Sequence, residues 1–327
     1  MELGKELLYL TRADVETVNL SMADIMDTLE EAFVEKLYGR VEMPPKPGIH
    51  TRPDSFIHAM PCWVPRHAAA GIKWVSGYPA NKEKGLPYIA GLMIMNDPET
   101  GMPTAILDCE WITAMRTGGV SGICARHMAL PDSEVVGVLG CGVQGRTNLE
   151  AVLVARPGIK RVYAYDHKRS NSERYTKAES ERFGVECIAV ATHEEAVRES
   201  DIIITAGPIT HSPDRVIEAA WIKPGALLVP VDYDCMYKPG AIEAVSRRCF
   251  TDDSGQYRHF RTMGYFPHGP DVLPELCGVI GGAADGRTDP ADILASYNIG
   301  MALDDMPVAA TIVSRALAGG IGRLLPL

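Results

Sequence analysis

No stretch of this 327-residue chain reaches about 18 consecutive apolar residues, the length a membrane-spanning helix needs. The opening MELGKELLYLTRADVE carries charges where a secretory leader has its apolar stretch, so a cytoplasmic protein without a membrane partner is expected. Nine histidines occur without H-E-x-x-H, and eight cysteines (62, 109, 124, 141, 187, 235, 249, 277) without C-x-x-C or any tight cluster. No metal site is expected, and the thiols are expected to be free and buried rather than cross-linked. Positive charge is scarce: 32 Lys and Arg stand against 42 Asp and Glu, a net charge of −10. That balance argues against nucleic acid or an anionic membrane surface as partner, and it requires any site for an anionic substrate to be a local basic pocket. Repeats, low-complexity stretches and charge runs are absent as well.

What is present is 46% hydrophobic residues in a chain long enough for two domains with separate cores. The organising stretch is EVVGVLGCGVQGR, residues 134–146. Val135, Val136, Val138 and Leu139 read as a short buried parallel strand. Three glycines follow at G-x-G-x-x-G spacing: Gly140 for a tight turn, Gly142 for backbone approach to a pyrophosphate, Gly145 for close packing of helix on strand. The helix they open, with Leu149, Val152 and Leu153 on one face, presents unpaired N–H groups to phosphate. A second apolar run, 161–165, leads to Asp166, where a ribose-binding acid belongs.

Ahead of this unit, Ser21 caps a packing helix closed by Gly39, and residues 41–65 are proline-rich and read as extended segments and turns. Residues 71–79 and 89–95 read as two strands of an antiparallel sheet. Lys73 lies inside the first. Turned inward it requires an anionic partner; turned outward it meets solvent, and the pattern leaves both readings open. A turn at 96–101 and a strand at 104–107 precede a helix over 112–129, whose many small residues suit close approach to another surface. Arg116 and Thr117 near its start favour anions. Beyond Asp166, the pattern predicts helices over 172–183 and 192–198 and strands over 186–190, 201–205, 226–231 and 247–251, about five parallel strands in all. Thr205, Ala206 and the acids after residue 231 fall at the strand ends where a dinucleotide lies. Residues 257–270 read as a loop, Asp289-Pro290 as a helix start, and Pro307 as the start of a last helix ended by Gly319-Gly320.

The stretches GIKWVSGYPANKEKGLP, NDPETGMPTAILD, WITAMRTGGVSG, VGVLGCGVQGR, SDIIITAG and GR…YNIGMALDD, in this order, resemble the ornithine cyclodeaminase and mu-crystallin family over essentially the whole chain. The resemblance implies an α/β architecture: a Rossmann-type doubly wound parallel sheet over residues 123–299, binding NAD, plus an α+β substrate-binding and dimerisation domain with an antiparallel sheet over 1–122 and 300–327. It implies that Lys73 and Arg116 hold a substrate α-carboxylate, that Lys46 stands near a third basic position, and that Asp234 is the catalytic aspartate. Lys73 and Asp234 are thus the expected catalytic pair, with Lys46, Lys73, Arg116 and His58 binding substrate. The expected cofactor set is Thr117, Gly140, Gly142, Val143, Gln144, Gly145, Asp166, Thr205, Ala206 and Gly300.

These residue types suit the chemistry. Hydride exchange between a substrate Cα and a nicotinamide needs Cα held against the ring, which a clamped carboxylate provides, and Asp234 can move the proton or stabilise an iminium. One departure is informative. Where the cyclodeaminases carry a glutamate for the distal amine of ornithine, this chain has His58, which offers no fixed negative charge. Arg52, His58, Arg258 and His259 would suit a neutral or acidic side chain instead. The expected function is an NAD-dependent oxidoreductase reducing a 2-imino acid to an amino acid, or the reverse. The alternatives are an ammonia-releasing cyclodeaminase and a non-catalytic dinucleotide-binding protein. Asp166 favours NAD(H), while His167, Lys168 and Arg169 leave NADP(H) open. A homodimer is expected through the apolar strand 89–95.

Overall fold

The computed structural model describes residues 1–245 and 248–327. The chain divides into two compact units, Met1–Arg116 with Gly300–Leu327, and Thr117–Ile299. The division falls between Arg116 and Thr117 rather than after residue 122. A Cβ at Gly118 would lie 2.4 Å from the Thr147 carbonyl oxygen, so the small residues already bind this helix to the second unit at that point.

The first unit opens with β1 (Glu6–Leu10), α1 (Arg12–Thr17) and α2 (Met22–Leu37), then β2 (Gly48–Ile49), β3 (Phe56–Val64), β4 (Ala69–Gly77), β5 (Ile89–Asn96), β6 (Pro103–Asp108) and the start of α3 (Glu110–Met128), whose residues from Thr117 onward belong to the second unit. Ser21 caps α2 by accepting the Asp24 N–H, and Gly39 beyond its end has φ of +67°. β4 and β5 pair antiparallel as expected. The proline-rich segment yields more than turns, because β3 pairs with β4 along its whole length. Pro61 is tolerated there because it falls between the pairing of β2 with Ile57 and His58 and the bridge of Glu42 with Trp63, so no ladder bond is lost at position 61. The sheet is mixed rather than purely antiparallel, since β1 runs parallel to β6.

The second unit contains β7 (Val135–Leu139), α4 (Val143–Ala155), β8 (Arg161–Tyr165), α5 (Arg169–Phe183), β9 (Glu186–Ala189), α6 (His193–Val197), β10 (Ile202–Thr205), β11 (Leu227–Pro230), α7 (Pro239–Val245), β12 (Cys249–Thr251), α8 (Ser254–Thr262), α9 (Leu276–Ile280) and β13 (Leu294–Tyr297). Its described strands form one parallel sheet of seven, ordered β12-β13-β11-β10-β7-β8-β9. The chain winds outward from β7 through β8 and β9, then returns to β10 on the other side of β7. That is a doubly wound sheet with its switch point between β7 and β10. Strands β10, β11 and β13 are buried at every position, which explains the apolar runs of β10 and β11. Three expectations need correction. Residues 257–270 are not all loop, since α8 takes up the first part, with Tyr257 and Phe260 buried and Arg258 and His259 exposed. Asp289-Pro290 starts no helix; it forms a turn leading into β13, an unexpected buried strand. Of the strand expected over 247–251, Arg247 lies outside the described residues, and Cys249–Thr251 is β12.

At Gly300 the chain rejoins the first unit with α10 (Ala302–Gly319) and β14 (Arg323–Pro326). α10 begins five residues before Pro307, because the Met301 N–H donates to Asp304 Oδ2 (2.9 Å) and so caps the helix ahead of the proline. It packs against α2, β3 and β4. β14 completes the sheet order β14-β1-β6-β5-β4-β3-β2. The sheet has one covered face, with Met60, Val75, Met93 and Leu107 buried, while Trp74, Leu92 and Ile94 on the other are 48%, 46% and 37% exposed. All eight cysteines are free thiols, each buried except the half-buried Cys187. No helix among the described residues is long and apolar enough to cross a membrane.

Candidate active site

Lys73 points to the covered face. It lies mid-strand in β4, opposite Met60 and Met93, and is 1% exposed. The solvent-facing reading is therefore excluded, and the anionic partner that burial demands is Asp305 of α10, whose Oδ2 lies 2.5 Å from Lys73 Nζ. Arg116, near the middle of α3, places Nε 3.0 Å from Asp305 Oδ1 and Nη1 3.2 Å from Asp304 Oδ2. Burial pulls the Lys73 ammonium below its ordinary pKa, and Arg116 adds to that, while Asp305 opposes both. Lys46 donates to the Gly300 carbonyl (3.0 Å), and Gly300 has φ of +83°. A Cβ at Gly300 would come within 2.7 Å of Arg116 Nη1, so glycine there admits the guanidinium.

The first unit thus gathers Lys46, Lys73, Arg116 and Gly300. Gly300, expected among the cofactor contacts, is placed against Arg116. His58 in β3 pairs with Val75 and so shares the Lys73 face, where it stacks on Phe56 with ring centroids 4.2 Å apart. Arg52 is exposed. Asp304 and Asp305 were not anticipated as site residues. A signal existed: two adjacent acids within the otherwise apolar run YNIGMALDDMPVAATIV call for cationic partners if that helix is buried.

In the second unit the glycine fingerprint has the expected geometry. Gly140, at φ +109°, leaves 2.5 Å between a hypothetical Cβ and the Ala206 carbonyl oxygen, and Gly145 leaves 2.1 Å to the Gly140 carbonyl. Neither accepts a side chain. A Cβ at Gly142 would meet nothing within 4 Å, and α4 starts there with no side-chain cap and with Val143 61% exposed beside the half-buried Gln144. The half-buried Thr117 follows Arg116 on α3. Asp166 stands at the end of β8. Burial pushes its carboxyl up, but the N–H groups of Lys168 and Cys141, the Asn171 amide and His167 outweigh this and hold it below its ordinary value.

Two acids follow β11. Asp234 is buried; its Oδ2 lies 3.2 Å from Arg215 Nη2, and Arg215 also donates to the Asp234 carbonyl. Burial raises the Asp234 pKa, with Arg215 and His268 opposing. Asp232 turns elsewhere, accepting from Thr205 Oγ1 (2.5 Å) and the Gly207 N–H (2.9 Å). Tyr233 between them takes the left-handed conformation, φ +64°, which sends the two carboxylates to different partners. Burial carries Asp232 up to about 6. Asp232 as a brace for the end of β10, and Arg215 as the partner of Asp234, were missed, because loop pairing of this kind leaves no spacing in the sequence.

A model of the ornithine cyclodeaminase/mu-crystallin family matches residues 5–320. The chain belongs to that family. It is 32% identical to an alanine dehydrogenase of Archaeoglobus fulgidus over 97% of each chain. Among solved structures it resembles the Thermococcus litoralis Δ1-pyrroline-2-carboxylate reductase in complex with NADH and L-proline, at TM-score 0.87 and 30% identity, covering 97% of this chain and 99% of that one. An archaeal alanine dehydrogenase dimer with bound NAD gives the same TM-score and identity over 98% and 99%.

Proposed function

We infer that this protein is an NAD(H)-dependent oxidoreductase that reduces a 2-imino acid to an amino acid or catalyses the reverse amino acid dehydrogenation. The observation that carries the reading is the buried Lys73–Arg116 pair on the covered face of β4, in a chain that keeps an intact dinucleotide fingerprint. Relatives named as an alanine dehydrogenase and a pyrroline-2-carboxylate reductase support it.

The dinucleotide fits the second unit: the uncapped start of α4 and the open space at Gly142 suit a pyrophosphate, and Asp166 suits the ribose hydroxyls. Gly140, Val143, Gln144, Gly145, Thr117, Thr205 and Ala206 would line its course. When bound, the nicotinamide donates or accepts the hydride. Lys73 and Arg116, with Lys46, hold the substrate carboxylate through charge-assisted hydrogen bonds and thereby fix Cα. Asp234, whose pKa burial raises, gives a proton to the substrate nitrogen or takes one from it. His58 in place of an acid disfavours a diamine substrate and hence cyclodeamination, and a buried proton-transfer acid disfavours a purely binding role. We further propose a homodimer through the exposed apolar face of Trp74, Leu92 and Ile94, a face that would aggregate if left bare. The deciding experiment is a panel of 2-oxo acids with ammonia or methylamine, followed by loss of NADH or NADPH absorbance. Absence of turnover on every acid would refute the enzyme reading, and a higher kcat/KM with NADPH would refute the NAD preference.

A further inference from the structure

We propose that Asp305 is a positioning residue for the carboxylate clamp, locking the Lys73 ammonium and the Arg116 guanidinium into one geometry from the first turn of α10. The inference rests on the reading of Lys73 and Arg116 as that clamp. A lysine and an arginine brought to one buried spot repel each other, and an anion between them offsets that repulsion. Asp305 does so with both oxygens: Oδ2 lies 2.5 Å from Lys73 Nζ and Oδ1 lies 3.0 Å from Arg116 Nε. Its own exposure is 0%. Neighbouring Asp304 takes the other side of the guanidinium, Nη1, at 3.2 Å, while accepting the Met301 N–H that starts α10. The guanidinium is thus ion-paired with consecutive residues of one helix.

This grip has two consequences. Rotamer freedom of two long side chains is removed before a ligand arrives, so the carboxylate meets a formed site. Asp305 also supplies the chief force keeping Lys73 charged. The groups acting on Lys73 are Asp305 from α10, Arg116 from α3 and Cys109 just before α3; burial and Arg116 drive its pKa down, and Asp305 and Cys109 drive it up. Asp304 and Asp305 also act on Cys62 of β3, whose thiol burial already pushes up, so that thiol brings no charge.

The test labels lysine with 13C at Cε and follows Lys73 by NMR, the resonance being assigned by its loss in Lys73→Arg, with pyruvate as the carboxylate probe. In the native protein Lys73 should respond to pyruvate. In Asp305→Asn its titration should move to lower pH by at least one unit, and half-saturation by pyruvate should rise tenfold or more. Asp305→Glu, which keeps the charge but displaces the oxygens, should retain the titration and still raise half-saturation; it serves equally if the Asn variant does not fold. In turnover, the alkaline limb of kcat/KM should move down in Asp305→Asn and return in the Asp305→Asn/Lys73→Arg double variant, since arginine keeps its charge. Unchanged titration and half-saturation in the Asp305 variants would overturn the proposal. A native Lys73 indifferent to pyruvate would overturn it together with the clamp. Absence of turnover on all 2-oxo acids, with Lys73 still responding to pyruvate and Asp305→Asn still weakening that response, would refute the proposed reaction alone and uphold Asp305.

Discussion

In the mixed sheet of the first unit the decisive charge sits in the middle of a strand, whereas in the parallel sheet of the second the decisive acids sit just past the strand ends. Lys73 lies in β4 between the buried ladder neighbours Met60 and Met93 and depends on a carboxylate delivered by a helix from the far end of the chain. Asp232 and Asp234 follow β11, where loop backbone and the Arg215 and Thr205 side chains are at hand. A mid-strand charge has few local partners, because its neighbours along the strand are directed to the other face and its ladder neighbours are apolar. Its burial therefore rests on one long-range ion pair. The acids after β11 instead draw on donors of their own unit, Thr205, Gly207 and Arg215, and a single change there leaves the fold largely intact.

The contrast predicts different outcomes for removing each group. Lys73→Ala should have the largest effect. It leaves Asp305 buried with Arg116 as its remaining ion-pair partner, a destabilisation of about 3–5 kcal/mol. Loss of the proposed clamp should lower kcat/KM on the order of 10² to 10³, with NADH affinity unchanged because the residues proposed to hold the dinucleotide lie in the other unit. Denaturant melts, cofactor titration and steady-state kinetics check the three parts separately. A near-normal kcat/KM would break the clamp model.

Asp234→Asn should follow. It keeps shape and removes the proton, so kcat should fall by roughly 10²-fold with KM little altered and the melting temperature close to native. An equal loss in KM and stability would place Asp234 in the structural class with Lys73 and remove the contrast.

Asp232 gives a pH-dependent test. Its folded-state pKa, about 6, lies above the ordinary 3.8, so between those pH values the folded chain holds a proton that the unfolded chain has lost. Stability from this group is therefore greatest below pH 3.8 and declines as pH rises to about 6, by about 3 kcal/mol at 1.4 kcal/mol per pKa unit. Asp232→Asn should flatten that decline in melts across the interval. An unchanged slope would show that Asp232 does not titrate there.

The smallest expected effect on the fold comes from the open face of the mixed sheet. Trp74→Lys with Leu92→Lys should leave each chain folded but shift sedimentation equilibrium from a dimer toward the 35.5 kDa species. A native protein that is already monomeric at micromolar concentration would refute the dimer.

The second unit was the more legible of the two. Its glycines, strand runs and ribose acid are local patterns, each set by the residues that form it, and β7 to β11 appear where the apolar runs place them. β13 was hidden because Asp289-Pro290 carries a helix-start signal, whereas the turn there is held by Asp289 and Asp292 side chains bonding nearby backbone N–H groups. In the first unit, β1 and β14 escaped notice because each is a short strand defined by a partner at the opposite end of the chain.

The sequence by itself determined the order of elements in the dinucleotide unit, the positions where only glycine fits, the family, and the residue types available for a carboxylate and a proton. Tertiary structure decided which way Lys73 faces. Alternation fixes only that Lys73 shares a face with Gly71 and Val75; which face is covered depends on α10 returning from residues 302–319 to lie on β3 and β4. That same return brings Asp305 to Lys73 and Arg116. Separations of more than 180 residues leave no trace in local spacing, because the pairing is fixed by packing of the helix on the sheet and not by any property of the strand that carries the lysine.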